Sequence, residues 1–271
     1  MTGEIMTQAW SFTADELAAL ALREPRSGAT AVLGLRSRHA TVDAREAALS
    51  HAAQALTRRG VMVDGVVEPE IATVLHALQR PDRELAMRLV TPAGVGRFLV
   101  ARQGSLCLTA RRVGDRLDAR VLGTNIALSD ATATLLGDVP AAHAAPIEPV
   151  GAPLSDLADA LSDSHDPQTL ADRIRALGVP QRAAVTLGAA LGSRQAFAEI
   201  VYRVVVDGDD LITRVPAAVG VFYTARGRVI GVPSVSPAGQ LWSTLKPGSD
   251  QVFGQAVSQL AALSTERWEG G

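Results

Sequence analysis

A chain of 271 residues with 47% hydrophobic and 20% charged side chains is long enough for a substantial core and too apolar for intrinsic disorder. A net charge of −2, with Lys246 the single lysine, excludes the strongly basic face of a nucleic-acid binder. One cysteine, Cys107, excludes an intrachain disulfide. The first residues carry Glu4 and no basic n-region, and no uncharged run is long enough to span a bilayer, so a cytoplasmic location is expected.

In chain order, Trp10 to Phe12 reads as a short strand. Thr13-Ala14-Asp15-Glu16 is a capping box that opens a helix to about Leu22. Ala31 to Leu35 reads as an extended piece. Asp43 to Arg59 is an Ala-rich helix stopped by Gly60. Beyond Asp64-Gly65, Ile71, Val74, Leu75 and Leu78 fall on one helical face. Four strands are predicted next, near Leu85–Val90, Arg97–Arg102, Ser105–Arg111 and Arg116–Leu122, turning at Gly104 and Gly114-Asp115. The last alternates cleanly, with Arg116, Asp118 and Arg120 opposite Leu117, Ala119 and Val121. Ser129-Asp130 is read as the cap of a short helix to about Leu136.

Residues 139–153 are rich in Pro and Ala and read as a connector. Beyond it, Leu154, Leu157, Ala158 and Leu161 share a helical face. Asp166-Pro167 is an N-cap followed by Pro at the first helical position. Leu170, Ile174 and Leu177 line that helix, Gly178 ends it, and Pro180 opens another to about Leu191. Strands return near Phe197–Val205, Ala218–Ala225, Arg228–Val235 and Gln240–Leu245, and Ser249-Asp250 caps a final helix. The elements define an α+β protein. Val95-Gly96-Arg97-Phe98 before Ala101-Arg102 recurs, at a constant offset, as Val219-Gly220-Val221-Phe222 before Ala225-Arg226. The block order agrees as well. The expectation is a single domain, residues 1–271, made of two similar halves at about 9–138 and 154–268, with 139–153 between them.

Catalytic chemistry needs convergent titratable or nucleophilic groups, and the sequence offers little. The five histidines, His39, His51, His76, His143 and His165, include no pair at metal-ligand spacing. His165 precedes a helix N-cap and is read as a turn residue. Gly94-Val95-Gly96 precedes a strand rather than a helix, so it is read as a hairpin turn and not a phosphate loop. Ser243 and Lys246 match an acylating spacing, but on a strand, where they cannot share a helical face. Cys107, mid-strand between leucines, is read as packing. Asp207-Gly208-Asp209-Asp210 is read as a solvated turn. No cofactor, metal or catalytic residue is expected.

The second half resembles a known family. Phe222-Tyr223-Thr224-Ala225-Arg226-Gly227-Arg228-Val229, then Gly239-Gln240-Leu241-Trp242-Ser243-Thr244-Leu245, Pro247-Gly248-Ser249, an amphipathic helix and Trp268 follow in the order of the EspG family of ESX (type VII) secretion-associated proteins. In the first half Leu56-Thr57-Arg58-Arg59-Gly60-Val61, Asp64-Gly65 and Ala77-Leu78-Gln79-Arg80-Pro81 are similar, as is Leu177-Gly178-Val179-Pro180 later on. The resemblance runs from about Trp10 to Trp268 and rests on the order of many weak matches.

It implies a pseudo-twofold central antiparallel β-sheet flanked by two helical bundles. It also implies a cytosolic chaperone, not an enzyme. Such a chaperone binds PE–PPE heterodimers at the PPE tip, keeps them soluble, and targets them to an ESX secretion system. The family's partner surface lies on the sheet, a strand loop of the first half and the helices of the second. Many relatives carry a long insertion in that loop, and here only Thr91, Pro92, Ala93 and Gly94 remain. The expected partner-binding residues are therefore those four together with Leu154, Leu157, Leu161, Leu170, Ile174 and Leu177. The readings weighed against this are a small-ligand-binding α+β protein without catalysis, an enzyme whose site assembles from distant residues, and a scaffold.

Overall fold

A computed structural model describes residues 8–23, 33–34, 39–205 and 212–269. Most of the extended piece expected at Ala31–Leu35, and the turn expected at Asp207–Asp210, lie outside the described residues. The fold is α+β, with a large antiparallel sheet and, among the described residues, eight helices. The chain divides into two compact units. One comprises Met1–Ala86 with Gly96–Ile126, the other Met87–Val95 with Ala127–Gly271.

In the first unit, β1 (Ala9–Thr13) runs into α1 (Ala14–Arg23) through the expected capping box. The Thr13 amide donates to Glu16 Oε2 (2.8 Å) and the Glu16 amide to Thr13 Oγ1 (3.2 Å). Helix α2 (Val42–Arg58) is capped by Thr41 and ends at Gly60, whose φ of 71° suits a residue without Cβ. Arg59 turns back from there. It donates to Glu16 Oε1 (2.7 Å) and to the Ser11 carbonyl (2.5 Å), and its guanidinium lies over the Phe12 ring. The nearly buried Glu16 carboxylate thus has a partner on each oxygen.

A small hairpin, β2 (Met62–Val63) and β3 (Val66–Val67), turns at Asp64-Gly65 and was not foreseen. Helix α3 (Pro69–Gln79) buries Ile71, Val74, Leu75 and Leu78 as its spacing predicts. Four strands follow: β4 (Arg83–Thr91), β5 (Gly94–Gln103), β6 (Leu106–Val113) and β7 (Arg116–Thr124). Their order with the first strand is β1-β7-β6-β5-β4. Phe12 sits opposite Leu117 in the β1–β7 register, and both enter a core with Leu20, Leu56, Leu75, Leu99 and Leu108.

On the outer face of β7, Asp118 accepts from Ser11 Oγ (2.7 Å), Arg116 Nε (3.2 Å) and Arg111 Nε (3.3 Å). Partial desolvation pushes its pKa up, but the bonds from Ser11, Arg116 and Arg111 outweigh that and hold it below the usual carboxylate value.

The second unit holds the end of β4, α4 (Leu128–Gly137), β8 (Val150–Pro153), α5 (Leu154–Leu161), α6 (Pro167–Ala176) and α7 (Gln181–Gly192). It continues with β9 (Arg194–Val205), β10 (Ile212–Arg214), β11 (Val219–Thr224), β12 (Gly227–Val235), β13 (Leu241–Pro247) and α8 (Asp250–Ala262). Its strand order is β4-β9-β11-β12-β13-β8, with β10 on β9. Helices α5, α6 and α7 cover one face through Leu157, Leu170, Ile174, Leu187 and Leu191, packed on Phe222, Val229 and Leu245. Helix α8 packs along β12, and α4 packs on α8. Strand β12 is therefore buried almost throughout, as a strand covered on both faces must be.

Two expectations are corrected here. The stretch 139–153, read as a connector, is part of the packed fold in its second part: Ala145, Ile147, Val150 and Ala152 are core residues, and β8 is an edge strand paired to β13. Proline is tolerated at such an edge because its missing N–H has no ladder partner to lose. Ser129-Asp130 does not cap α4. The N-cap is Ala127, without a side-chain bond, and Glu269 Oε1 accepts from the Leu128 amide (3.2 Å) instead.

The buried Arg228 joins several elements. Its Nε donates to the Gly248 carbonyl (2.6 Å) and its guanidinium pairs with Asp250 at the start of α8. Its backbone exchanges bonds with His143 (2.7 Å) and Ala145 (2.9 Å).

Two helix-interior glycines give opposite predictions. A Cβ on Gly188 would lie 2.7 Å from the Pro167 carbonyl oxygen and 2.8 Å from the Ala171 nitrogen, whereas one on Gly254 meets nothing within 4 Å. Gly254→Ala gains helix propensity and stabilises by about 0.5–1 kcal/mol. Gly188→Ala forces α6 and α7 apart and destabilises by about 1–3 kcal/mol despite the same propensity gain. Urea denaturation of both variants measures the difference in sign.

Asp118 predicts a pH dependence. A carboxylate whose folded pKa is lowered stabilises above its unfolded pKa of about 3.9 and loses that contribution as pH falls through the folded value. Asp118→Asn lowers stability at neutral pH and flattens the acid limb of the stability profile below about pH 4. Added salt shrinks the effect, because the group is more than one-third exposed. Thermal melting across pH 2.5 to 7 at two salt concentrations, about 0.05 and 0.5 M, is the measurement.

Candidate functional site

The sequence-predicted partner residues fall into three groups: buried in the core, half-buried beside it, and at the β4–β5 turn and its groove. Leu157, Leu170 and Ile174 are 3% exposed or less and belong to the core between α5–α7 and the sheet. They are corrected here: a side chain consumed by its own fold cannot face a partner. Leu177 is half-buried against that core, and Leu154 is half-buried at the start of α5. Pro92, Ala93 and Gly94 are exposed at the β4–β5 turn, which is pinned by a Thr91 Oγ1 bond to the Gly94 carbonyl (3.2 Å).

Thr91, Pro92 and Leu161 meet in one open groove of about 670 Å³ in the second unit. The β4–β5 turn forms one wall with Val90. Ala158 and Leu161 of α5, with Ser162 and His165 beyond it, form the other. The floor is the start of β9, Arg194 to Phe197, with Phe222 of β11. Phe197 and Phe222 are tilted neighbours with centroids 5.0 Å apart, within the range of favourable aromatic pairing.

The floor's geometry has a local cause. A Cβ on Gly192, the last residue of α7, would lie 3.0 Å from the His165 carbonyl oxygen and 2.7 Å from the Pro167 ring. Glycine there lets the segment entering α6 approach the start of β9. His165 Nε2 then sits 3.3 Å from a terminal nitrogen of Arg194, and the Arg194 guanidinium lies 5.9 Å from the Phe222 centroid. A guanidinium has only N–H donors, so in this contact Nε2 is the acceptor. The β9–β11 register also shifts at Thr224, opposite Arg194, which re-aims the strand end, as bulges do.

Sequence reasoning missed Arg194, Phe197 and Phe222 as site residues and read His165 only as a turn residue. One signal was available. Phe197 alternates in β9 with the buried set Ala198, Ile200 and Tyr202, on the face that carries Glu199 and Arg203. An aromatic side chain on a charged strand face marks a surface that something covers.

Elsewhere, Cys107 is buried and Ser243 and Lys246 lie on β13. Among the described residues, no three His, Cys, Asp or Glu side chains converge to hold a metal ion, and no helix is long and apolar enough to cross a membrane. A second groove, of about 660 Å³, runs between α1 and α2 in the first unit, lined by Leu22, Leu49, Ala53 and Met62 without any aromatic side chain.

An open, largely apolar groove with a few placed polar groups has the geometry of a binding surface. The family model of the EspG family matches residues 13–259, and the chain belongs to that family. It is 27% identical over 235 residues to the ESX-1 secretion-associated protein EspG1 of Mycobacterium tuberculosis, covering 85% of this chain and 78% of that one. It is 29% identical over 243 residues to the ESX-3 secretion-associated protein EspG3 of Mycolicibacterium smegmatis, covering 88% and 81%. In fold it matches the Mycobacterium tuberculosis type VII secretion system chaperone EspG5, solved in complex with the PE25–PPE41 dimer. The TM-score is 0.79 at 17% identity, over 97% of this chain and 99% of that one.

The sorting of the leucines is testable. Ile174→Ala empties a buried site and costs about 2–5 kcal/mol. Pro92→Ser, on an exposed turn, stays within about 0.5 kcal/mol of the parent. Chemical denaturation of the two variants checks both values.

Proposed function

We propose that this protein is a cytosolic chaperone that binds a PE–PPE heterodimer through the tip of the PPE protein, keeps it soluble and delivers it to an ESX type VII secretion system. The groove between the β4–β5 turn, α5 and the start of β9 is the docking site. The observation that carries the reading is the composition of that groove. Sheet, first-half strand loop and second-half helix, the three surfaces expected of the family, meet around an aromatic pair with Thr91, Pro92 and Leu161 on its walls.

The physical logic is direct. The tip of a helical hairpin that exposes apolar side chains is an aggregation hazard. Phe197 and Leu161, both half-buried, offer it an apolar surface above the buried Phe222, and covering the tip removes that surface from water. The β4–β5 connection is only Pro92-Ala93, so the loop supplies one wall and the helix and sheet supply the rest. The groove is open rather than a closed cavity, which favours a macromolecular segment over a small ligand.

We also infer that the chain is a duplicated unit with pseudo-twofold symmetry, its halves at about 9–138 and 154–268, the second extended back to include β8. Support comes from the element order. Apart from the β2–β3 hairpin of the first half and β10 of the second, each half runs strand, three helices, a four-stranded meander and a helix. The strand orders read β1-β7-β6-β5-β4 and β8-β13-β12-β11-β9. In each half the repeated glycine lies beneath the ring of the phenylalanine two residues on: a Cβ would be 2.7 Å from the ring at Gly96 and 3.3 Å at Gly220.

Co-expression with candidate PE–PPE pairs tests the function. One pair is expected to co-purify and gain solubility, and Leu161→Asp is expected to weaken that binding at least about tenfold, or ~1.4 kcal/mol, with melting of the free variant reporting that it is folded. If no pair binds the parent protein, the chaperone reading fails. If Leu161→Asp binds as the parent does, the groove is not the site.

A further inference from the structure

We infer that Arg194 sets the groove's specificity by pairing with a carboxylate of the cargo, placed beside an apolar side chain that covers Phe197 and Phe222. This rests on the reading of the groove as the docking site and adds the chemistry of what docks there.

Among the described residues, Arg194 is a cation positioned by two contacts and without a counterion. One terminal nitrogen donates to His165 Nε2 at 3.3 Å, and its planar face lies 5.9 Å from the Phe222 centroid. Both contacts position the side chain, and neither neutralises it, because neither an imidazole nor a phenyl ring carries a negative charge. Among the described residues no carboxylate lies within 4 Å of the Arg194 guanidinium. Arg214, on the neighbouring β10, is different: it has Glu199 at 2.8 Å. The remaining N–H donors of Arg194 stay available in a groove otherwise lined by apolar and uncharged polar groups.

A purely apolar partner cannot settle over such a residue cheaply. Covering Phe197 and Phe222 removes water from Arg194, and a desolvated cation left unpaired is strongly unfavourable. A backbone carbonyl would accept a hydrogen bond but leave the charge unbalanced. A carboxylate matches the planar fork and balances the charge. Because His165 and Phe222 already hold the guanidinium, little side-chain entropy is lost when the pair forms. The same arrangement rejects a cargo tip that carries Lys or Arg at that place.

The experiment uses the cargo pair identified by co-expression and measures its affinity for the full chain. Arg194→Gln is expected to weaken binding roughly tenfold to a hundredfold, with a shallower salt dependence, and Arg194→Glu more. Melting of the free variants reports that they are folded. Asp and Glu residues of the cargo are then reversed one at a time to Arg, and one reversal is expected to restore binding to Arg194→Glu. Arg194→Gln binding within about twofold of the parent, or no reversal rescuing Arg194→Glu, overturns the pairing. If Leu161→Asp abolishes binding while Arg194→Gln does not, the groove reading stands and this inference alone falls. If Leu161→Asp also binds normally, the groove reading fails first and this inference with it.

Discussion

The second unit is organised around a guanidinium buried in its interior. Burying the Arg228 charge is tolerable only where acceptors are waiting, and here they come from separate elements. The Gly248 carbonyl lies where the chain leaves β13, and Asp250 opens α8. Gly248 has no room for a side chain, since a Cβ would lie 2.6 Å from the Arg228 carbonyl oxygen. The backbone of Arg228 also bonds to His143 and Ala145, drawing the Pro-Ala segment onto the sheet. One residue therefore fixes where that segment, β13 and α8 stand relative to β12. The cross-strand partner of Arg228 is Tyr223, and beside it Phe222 pairs with Val229, so the groove floor is one register step from this anchor.

Close helix packing supplies the other fixed point. Gly188 and Gly192 admit the start of α6 to within van der Waals limits of α7, and that approach sets His165 beside Arg194. The groove walls differ in character from this floor. The β4–β5 turn is short and exposed, and Leu161 is only half-buried. If the groove is the docking site proposed above, an aromatic and cationic floor with a minimal loop wall puts discrimination in the floor. In a relative with a longer loop, the wall can carry more of the contact.

Much of the fold was legible in the sequence because it is written in local rules. The Thr13–Glu16 box, the stripe from Ile71 to Leu78, the alternation of β7 and the Asp166-Pro167 start of α6 all depend on residues a few positions apart. The failures have one kind of cause. Strand β8 is short, Pro-flanked and exists only because β13 offers it an edge. Ser129 has a capping side chain, but Glu269, distant in sequence, takes the amide end of α4. Leu157, Leu161, Leu170 and Ile174 repeat on helical faces alike, yet only Leu161 reaches the groove.

The sequence by itself determined the class of structure and the kind of function. Periodicity, caps and turn residues specify an α+β pattern of strand meanders and helices, and the order of many weak matches from Trp10 to Trp268 specifies the EspG family. Tertiary structure alone decided which apolar residues are left over for a partner. Hydrophobic periodicity shows that a face is buried, not by what, because burial against one's own sheet and burial against another chain impose the same pattern. Only with α5, β9, β11 and the β4–β5 turn in place does Thr91 stand near Leu161, and only the glycine-mediated approach of α6 to α7 brings His165 to Arg194 over the Phe222 ring.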